Sequence, residues 1–249
     1  MPGPDALALI RRAKAEAKAA AAAPAQLPPL PPLELSVTPP HGVHLPSMPD
    51  RSCYFPSFVS ERDEEILLQH ILGAPAERWV PGNGRRTQNW GGRPGELKVA
   101  EALPSWLQQL VAALVQHGAW PADEAPPNHV IINDYEPGAG LTPHTDGPLY
   151  AARVATLSLM SDVVIELHAP CDAAVTCEEG TRLGRLLLRR RSLNVLSGEA
   201  YRCFHGIPAR DRDLVDPRTV VNFDVSGASD GEEVQRVRRV SIVFVSKLV

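Results

Sequence analysis

The stretch from Asn128 to Met160, NHVIINDYEPGAGLTPHTDGPLYAARVATLSLM, decides the fold. It opens on HVIINDY, rich in Val and Ile, whose branched side chains suit a pleated, half-buried surface. EPGAG and DGP then supply Pro and Gly where the chain must turn. RVATLSLM returns to strand character. Between the strands His144-Thr145-Asp146 forms an H-x-D pair. Residues i and i+2 of an extended segment project to one face, so an imidazole and a carboxylate can reach one metal ion.

Downstream, DVVIELHA, RLLLRR, SLNVLSG and RRVSIVFV repeat the short, aliphatic, turn-bounded pattern. Upstream the period changes. Ser60 reads as an N-cap, with Glu64 and Glu65 in the first turns, and Ile66, Leu67, His70 and Ile71 at helical spacing before Gly73 and Pro75. LPSWLQQLVAALVQHG reads as a second helix, opened by Pro104 or Ser105 and closed by Gly118. Early helices followed by many short strands predict a mainly β protein with flanking helices: a two-sheet sandwich or jelly roll whose sheet is covered on one face by the helices. Residues 168–184 and 207–234 are long, polar and turn-rich, and read as lids or insertions.

Residues 1–49 differ from the rest. Residues 1–23 are Ala-rich, and Pro crowds residues 24–49, which favours extended polyproline II over helix or sheet. The expected organisation is a disordered or loosely helical tail and linker over 1–49 and one folded domain over 50–249. Asp5, Glu16 and the shortage of Ser argue against a transit peptide. No apolar run reaches the length of a membrane span. The formal net charge of −4 argues against a long nucleic-acid track but leaves room for a local basic groove. Cys53, Cys171, Cys177 and Cys203 form no CxxC pair and no disulfide framework, so reduced thiols are expected, in the cytoplasm and nucleus. A zinc site on Cys171 and Cys177 lacks a second ligand pair.

His205, in YRCFHGI, supplies a second imidazole after the strand-and-turn SLNVLSGEA. Two His and one carboxylate make a facial triad with open positions, which suits non-haem Fe(II) and O₂ chemistry. H-x-D alone occurs by chance, so the context matters. Arg239 opens an otherwise apolar strand, where a buried guanidinium is costly unless an anion pairs with it. A dicarboxylate would do so bidentately. The alternative is that Arg239 reaches the rim, as Arg236 and Arg238 are expected to do.

These residues resemble the AlkB family of 2-oxoglutarate oxygenases. The likeness runs through QNWGG (88–92), LPSWLQ (103–108), NHVIINDYEPG (128–138) and PHTDGPLY (143–150), then His205 and the Arg239 strand. It implies a double-stranded β-helix (jelly-roll) core, Fe(II) on His144, Asp146 and His205, and 2-oxoglutarate on Asn133, Tyr135 and Arg239. It implies a dioxygenase that consumes O₂, releases succinate and CO₂, and hydroxylates a substrate C–H bond; on an N-methyl group this leads to demethylation. It also implies a second Arg six residues after the first. Position 245 is Val245 instead, with Lys247 two further on, a charge without a planar fork.

A nucleic-acid substrate, RNA or DNA with N-alkylated bases, follows from the same likeness, with the protein expected to be a monomer. WVPGNGRRTQNWGG is the candidate recognition segment. Arg85 and Arg86 would meet phosphate, Trp90 or Trp79 would stack on a base, and Tyr150 would line the substrate pocket. Equally, Trp90 packs under a Gly-rich turn and the arginines are solvated. The basic cluster of Arg182, Arg185 and Arg189–Arg191 reads as a solvated face. Two other readings stay open: a nucleic-acid-binding module with weak or no turnover, which Val245 favours, and a cupin-like metal protein, which needs no dicarboxylate clamp.

Overall fold

Ser60 starts the first helix, α1 (Glu61–Leu72). Its hydroxyl accepts the Asp63 backbone N–H at 3.0 Å, and its own N–H donates to the Asp63 carboxylate, a reciprocal cap. The second, α2 (Ser105–Gln116), begins after Pro104, which needs no N–H bond there. Both match the sequence expectation. In this computed structural model residues 31–33, 35, 43–44, 52–170 and 182–248 are described. Most of the expected tail, and Cys171 and Cys177, lie outside the described residues.

The strands in chain order are β1 (Val43–His44), β2 (Cys53–Phe55), β3 (Val80–Pro81), β4 (Arg85–Trp90), β5 (His129–Tyr135), β6 (Leu141–His144), β7 (Tyr150–Leu159), β8 (Val163–His168), β9 (Arg182–Leu188), β10 (Leu193–Ser197), β11 (Phe204–Ile207), β12 (Arg212–Leu214), β13 (Glu233–Gln235) and β14 (Arg239–Lys247). An eight-stranded sheet runs β1-β2-β10-β7-β14-β5-β4-β3, and a four-stranded sheet runs β6-β11-β8-β9. The fold is therefore the mainly β, jelly-roll arrangement the sequence predicted, with β14, the last strand, at the centre of the large sheet.

Period-2 alternation divides β14 between two environments. Val240, Ile242 and Phe244 pack with Val130, Ile132 and Leu157 against Leu67 and Ile71 of α1 and Leu107, Leu110 and Leu114 of α2. Both helices thus cover one face of the large sheet. Leu33 and Leu35 pack on this same core. The opposite face meets the small sheet through Tyr135, Val154, Ile165, Leu167 and Leu196. The fully buried Glu64 of α1 ties helix to sheet: it accepts the Met160 N–H at 2.6 Å and the Arg190 Nε–H at 2.7 Å. Arg189 is held by Asp162 and Glu232. The 189–191 cluster is an ion-paired seam rather than the solvated face expected.

Residues 207–234 are not a lid. Within them β12 pairs with β13, which closes the segment, and a short helix, α3 (Phe223–Ser226), follows Asn222. Val215, Val220 and Val234 pack on Val164 and Leu187, the outer face of the small sheet. Isolated apolar residues among polar ones give no periodicity, so the packing is invisible in the sequence. Arg236 likewise does not reach the rim. It is buried and donates to the fully buried Asp213 at 2.9 Å, which also pairs with Arg210 and accepts the Val164 N–H.

Removing one partner of a buried ion pair leaves the other charged and unsolvated, at about 3–5 kcal/mol. Asp213→Ala is therefore expected to lose about that much stability in equilibrium urea unfolding; a loss below about 1 kcal/mol would contradict this account of the 207–234 segment.

Candidate metal centre

The three residues of the predicted triad come from two neighbouring strands and the turn after one of them. Strand β6 ends at His144, and β11 carries His205 directly opposite it in register. The two imidazole centroids are 4.6 Å apart. Asp146 sits two residues beyond His144, and its Oδ1 lies 3.9 Å from His205 Nε2. One donor atom from each of the three lies within 4.8 Å of the others. The close approach of the strands requires Gly206: a Cβ there would stand 2.9 Å from Pro143 Cα.

The protonation states suit a cation. The Thr142 carbonyl can only accept, so His144 Nδ1, 3.0 Å away, donates to it and Nε2 is the atom left to ligate a metal. Burial lowers the pKa of His205, partly opposed by the Asp146 carboxylate, so its ring is neutral at neutral pH. Asp146 Oδ2 is buried with no hydrogen-bond partner. Tyr201 Oη donates to the Gly147 carbonyl at 3.0 Å and steadies the turn behind Asp146. Tyr201 escaped the sequence reading because nothing near it in the chain marks it.

The triad opens into a cavity of about 270 Å³ between the two sheets. Strand register lays out the wall. Arg85 of β4, Tyr135 of β5 and Arg239 of β14 form one cross-strand row, and Thr87, Asn133 and Ser241 form the next. All six line the cavity. Arg239 is buried, donates to Ser158 Oγ at 2.8 Å, and has no partner for Nε. Desolvation pushes its pKa down to about 10, still charged at neutral pH. Asn133 accepts from Arg85 at 3.1 Å and donates to Ser241 Oγ at 3.3 Å. Unpartnered buried atoms on Asp146, Arg239, Asn89 and Asn194 belong to lining residues of this one cavity. Such atoms are rare in folded proteins unless a ligand completes them. A donor set of two His and one carboxylate fits iron, and the buried guanidinium fits a carboxylate.

The expected substrate residues are dispersed. Arg85 faces the cavity. Arg86 points to the other face of the same strand, pairs with Asp134 at 2.9 Å and lies 4.0 Å over the Trp79 ring. Trp90 does not line the cavity. It packs edge-on to Trp106, lies under Arg78, and donates to Gln88. Tyr150 is stacked on His129 and bonds its Nδ1 at 3.1 Å, also away from the cavity. The expectation of substrate contact at Trp90 and Tyr150 does not fit these positions, since both rings are spent on packing. Val245 is buried in the same apolar cluster as Tyr150, pairs in register with Val154, and does not line the cavity. Lys247 does not substitute for an active-site Arg: its Nζ donates to the carbonyls of Arg93 and Lys98.

Comparison with known proteins agrees with this geometry. The sequence pattern of the 2OG-Fe(II) oxygenase superfamily matches residues 54–244. The protein named "Probable RNA/DNA demethylase ALKBH6" of Danio rerio is 39% identical over 197 residues, covering 77% of this chain and 83% of that protein. The "tRNA (carboxymethyluridine(34)-5-O)-methyltransferase alkbh8" of Xenopus tropicalis is 31% identical over 181 residues, which are 68% of this chain and 27% of that protein. The solved structure of OsALKBH1 superposes with a TM-score of 0.51 at 13% identity, covering 78% of this chain and 96% of that one, a likeness of fold. The chain is a member of the 2OG-Fe(II) oxygenase superfamily on its AlkB side, a dioxygenase dependent on Fe(II) and 2-oxoglutarate.

Proposed function

We propose that the protein oxidatively demethylates N-alkylated bases of RNA or DNA, with Fe(II) held by His144, Asp146 and His205 and 2-oxoglutarate by Asn133, Tyr135 and Arg239. The observation that carries this reading is one cavity holding both a His–Asp–His cluster and a buried guanidinium with no counter-ion of its own. The name of the Danio rerio relative supports the substrate class. When bound, Fe(II) with 2-oxoglutarate and O₂ supplies oxidative decarboxylation coupled to hydroxylation of a C–H bond.

The chain's own residues bind, orient and exclude water. Thr142 fixes the His144 tautomer, and Tyr201 fixes the turn that carries Asp146. Arg239 and Asn133 present donors to an anion, and Ser158 and Ser241 hold those donors in place. Leu141, Ile165, Leu188 and Ile207 provide apolar wall, which keeps water from the reacting carbon. A duplex base would have to leave its stack to enter a cavity enclosed by two sheets. Outside it, Arg86 and Arg238 flank Asp134 in a neighbouring surface groove that shares Arg85 and Tyr135 with the cavity, where a phosphate would be met. The second reading, a binding module with little turnover, rests on Val245 and on the commitment of Lys247 to backbone carbonyls.

The deciding assay follows succinate and formaldehyde release with N-methylated and unmodified RNA and DNA oligonucleotides. Release stimulated by methylated strands alone is expected; binding without stimulation by any of them would favour the second reading. Asp146→Ala is expected to abolish Fe(II) binding, read as bound-iron stoichiometry, and all turnover. Retained wild-type activity in that variant would overturn the triad. Arg239→Ala should keep its iron and raise the 2-oxoglutarate requirement by about tenfold or more, the worth of a charge-assisted bidentate contact.

A further inference from the structure

Among the described residues, arginines are, with few exceptions, ion-paired. Arg78 meets Glu101, Arg153 meets Glu124, Arg189 meets Asp162 and Glu232, Arg236 meets Asp213, and Arg238 meets Asp134. Among the described residues, two arginines that are not solvent-exposed lack any carboxylate partner: Arg239 and Arg85. Both line the same cavity. They occupy the two ends of one cross-strand row, with Tyr135 between them. Their guanidinium carbons lie 5.6 Å and 5.9 Å from the centroid of that one ring. Arg85 also touches Asn133 Oδ1 and reaches the Tyr135 hydroxyl at 3.5 Å.

We infer that Arg85 is a second arginine of the cosubstrate site and, with Arg239, shares the carboxylate of 2-oxoglutarate that is distal to the metal. The inference rests on the cosubstrate reading above and reassigns Arg85 from the nucleic-acid contact that its place in GNGRRTQNW suggests. Three arguments favour it. First, strand parity: Arg85 and Arg86 point to opposite faces, and Arg86 takes the outward, acid-paired position while Arg85 takes the inward one. Second, charge. Two partly or fully desolvated guanidiniums without carboxylate partners line one cavity, and a shared carboxylate supplies the missing negative charge to both at once. Third, the residues Arg85 bonds are Asn133 and Tyr135, the same two that the AlkB likeness gives to the cosubstrate.

Val245 makes this arrangement consequential. Position 245 lies six residues along β14 from Arg239, about 20 Å at strand rise, so no side chain there could share the Arg239 end. With Val245 apolar and Lys247 turned to backbone carbonyls, Arg85 and Arg239 are the cavity's only Arg or Lys side chains among the described lining residues. The neutralisation of a dianion at this site then falls on those two and the metal.

The test is anaerobic titration of the full-length Fe(II)-loaded protein, following the visible charge-transfer band of the chelate. Two ligands are compared: 2-oxoglutarate, and 2-oxobutyrate, which keeps the 2-oxo acid group and lacks the distal carboxylate. Arg85→Ala is expected to raise half-saturation for 2-oxoglutarate about tenfold or more and to leave that for 2-oxobutyrate within about twofold. Arg85→Lys, which keeps the charge and guards against misfolding, should recover part of the loss. Unchanged 2-oxoglutarate binding in folded Arg85→Ala would overturn the inference, and a simultaneous drop in affinity for a single-stranded oligonucleotide would return Arg85 to the substrate. Equal weakening for both ligands would also overturn it, as a general disturbance. Absence of the band in the unaltered protein would sink the cosubstrate reading itself, a different failure.

Discussion

Strand parity at the centre of the large sheet is the constraint on which the site depends. β14 lies between β5 and β7, and its register places Arg239 beside Tyr135 and Ser241 beside both Asn133 and Ser158. A slip of one residue would turn Arg239 into the helix-packed core and Ile242 into the cavity. The apolar face prevents that slip. Val240, Ile242 and Phe244 are buried against α1 and α2, so the hydrophobic effect on one side of the sheet fixes the polar geometry on the other. The helices, remote from the His–Asp–His cluster, thereby help to aim the Arg239 guanidinium into the cavity.

The small sheet imposes the complementary constraint. His144 and His205 face each other because β6 and β11 pair there, and Gly206 permits the approach. The outer face of this sheet must be covered for the pairing to persist, and the 207–234 segment covers it through Val215, Val220 and Val234. Asp213 anchors that segment with two arginines and a backbone N–H of β8. A turn-rich region that reads as an accessory is thus structural support for the strand that carries His205.

What the sequence made legible follows the range of the interactions. Caps and helical spacing act over a few residues, so α1 and α2 could be read with their ends. Aliphatic runs marked β5, β7, β8, β10 and β14, and the H-x-D spacing pointed to the metal. Strand β4 escaped. In RRTQNW the inward Arg85, Thr87 and Asn89 line the cavity and the outward Arg86 and Gln88 are polar too, so Trp90 alone gives no apolar alternation. Its pairing with β5 spans some fifty residues, and only that pairing decides that Arg85 looks in and Arg86 looks out. The choice between the two readings of Trp90, and the place of Tyr150, were open in the sequence for the same reason. An aromatic residue near a site can stack on a ligand or on a neighbour, and the neighbours, Trp106 and His129, are distant or unremarkable in the chain.

Charge placement sets the interior apart from the rest of the molecule. Elsewhere among the described residues, buried and half-buried arginines are neutralised by acids of the protein, even where this needs an ion pair as enclosed as Arg236 with Asp213. Such pairs cost desolvation on both sides, and good geometry repays it. The cavity reverses the pattern: its carboxylate, Asp146, stands with two imidazoles, while Arg85 and Arg239 stand apart from any acid. Separated charge of this kind destabilises the empty protein and is relieved by a ligand carrying negative charge toward the arginines and a cation toward Asp146. A metal and an elongated dicarboxylate together meet both demands. An apolar residue at position 245 leaves this separation intact, because Val245 lies outside the cavity and both unpaired arginines stand in the cross-strand row at the Arg239 end of β14.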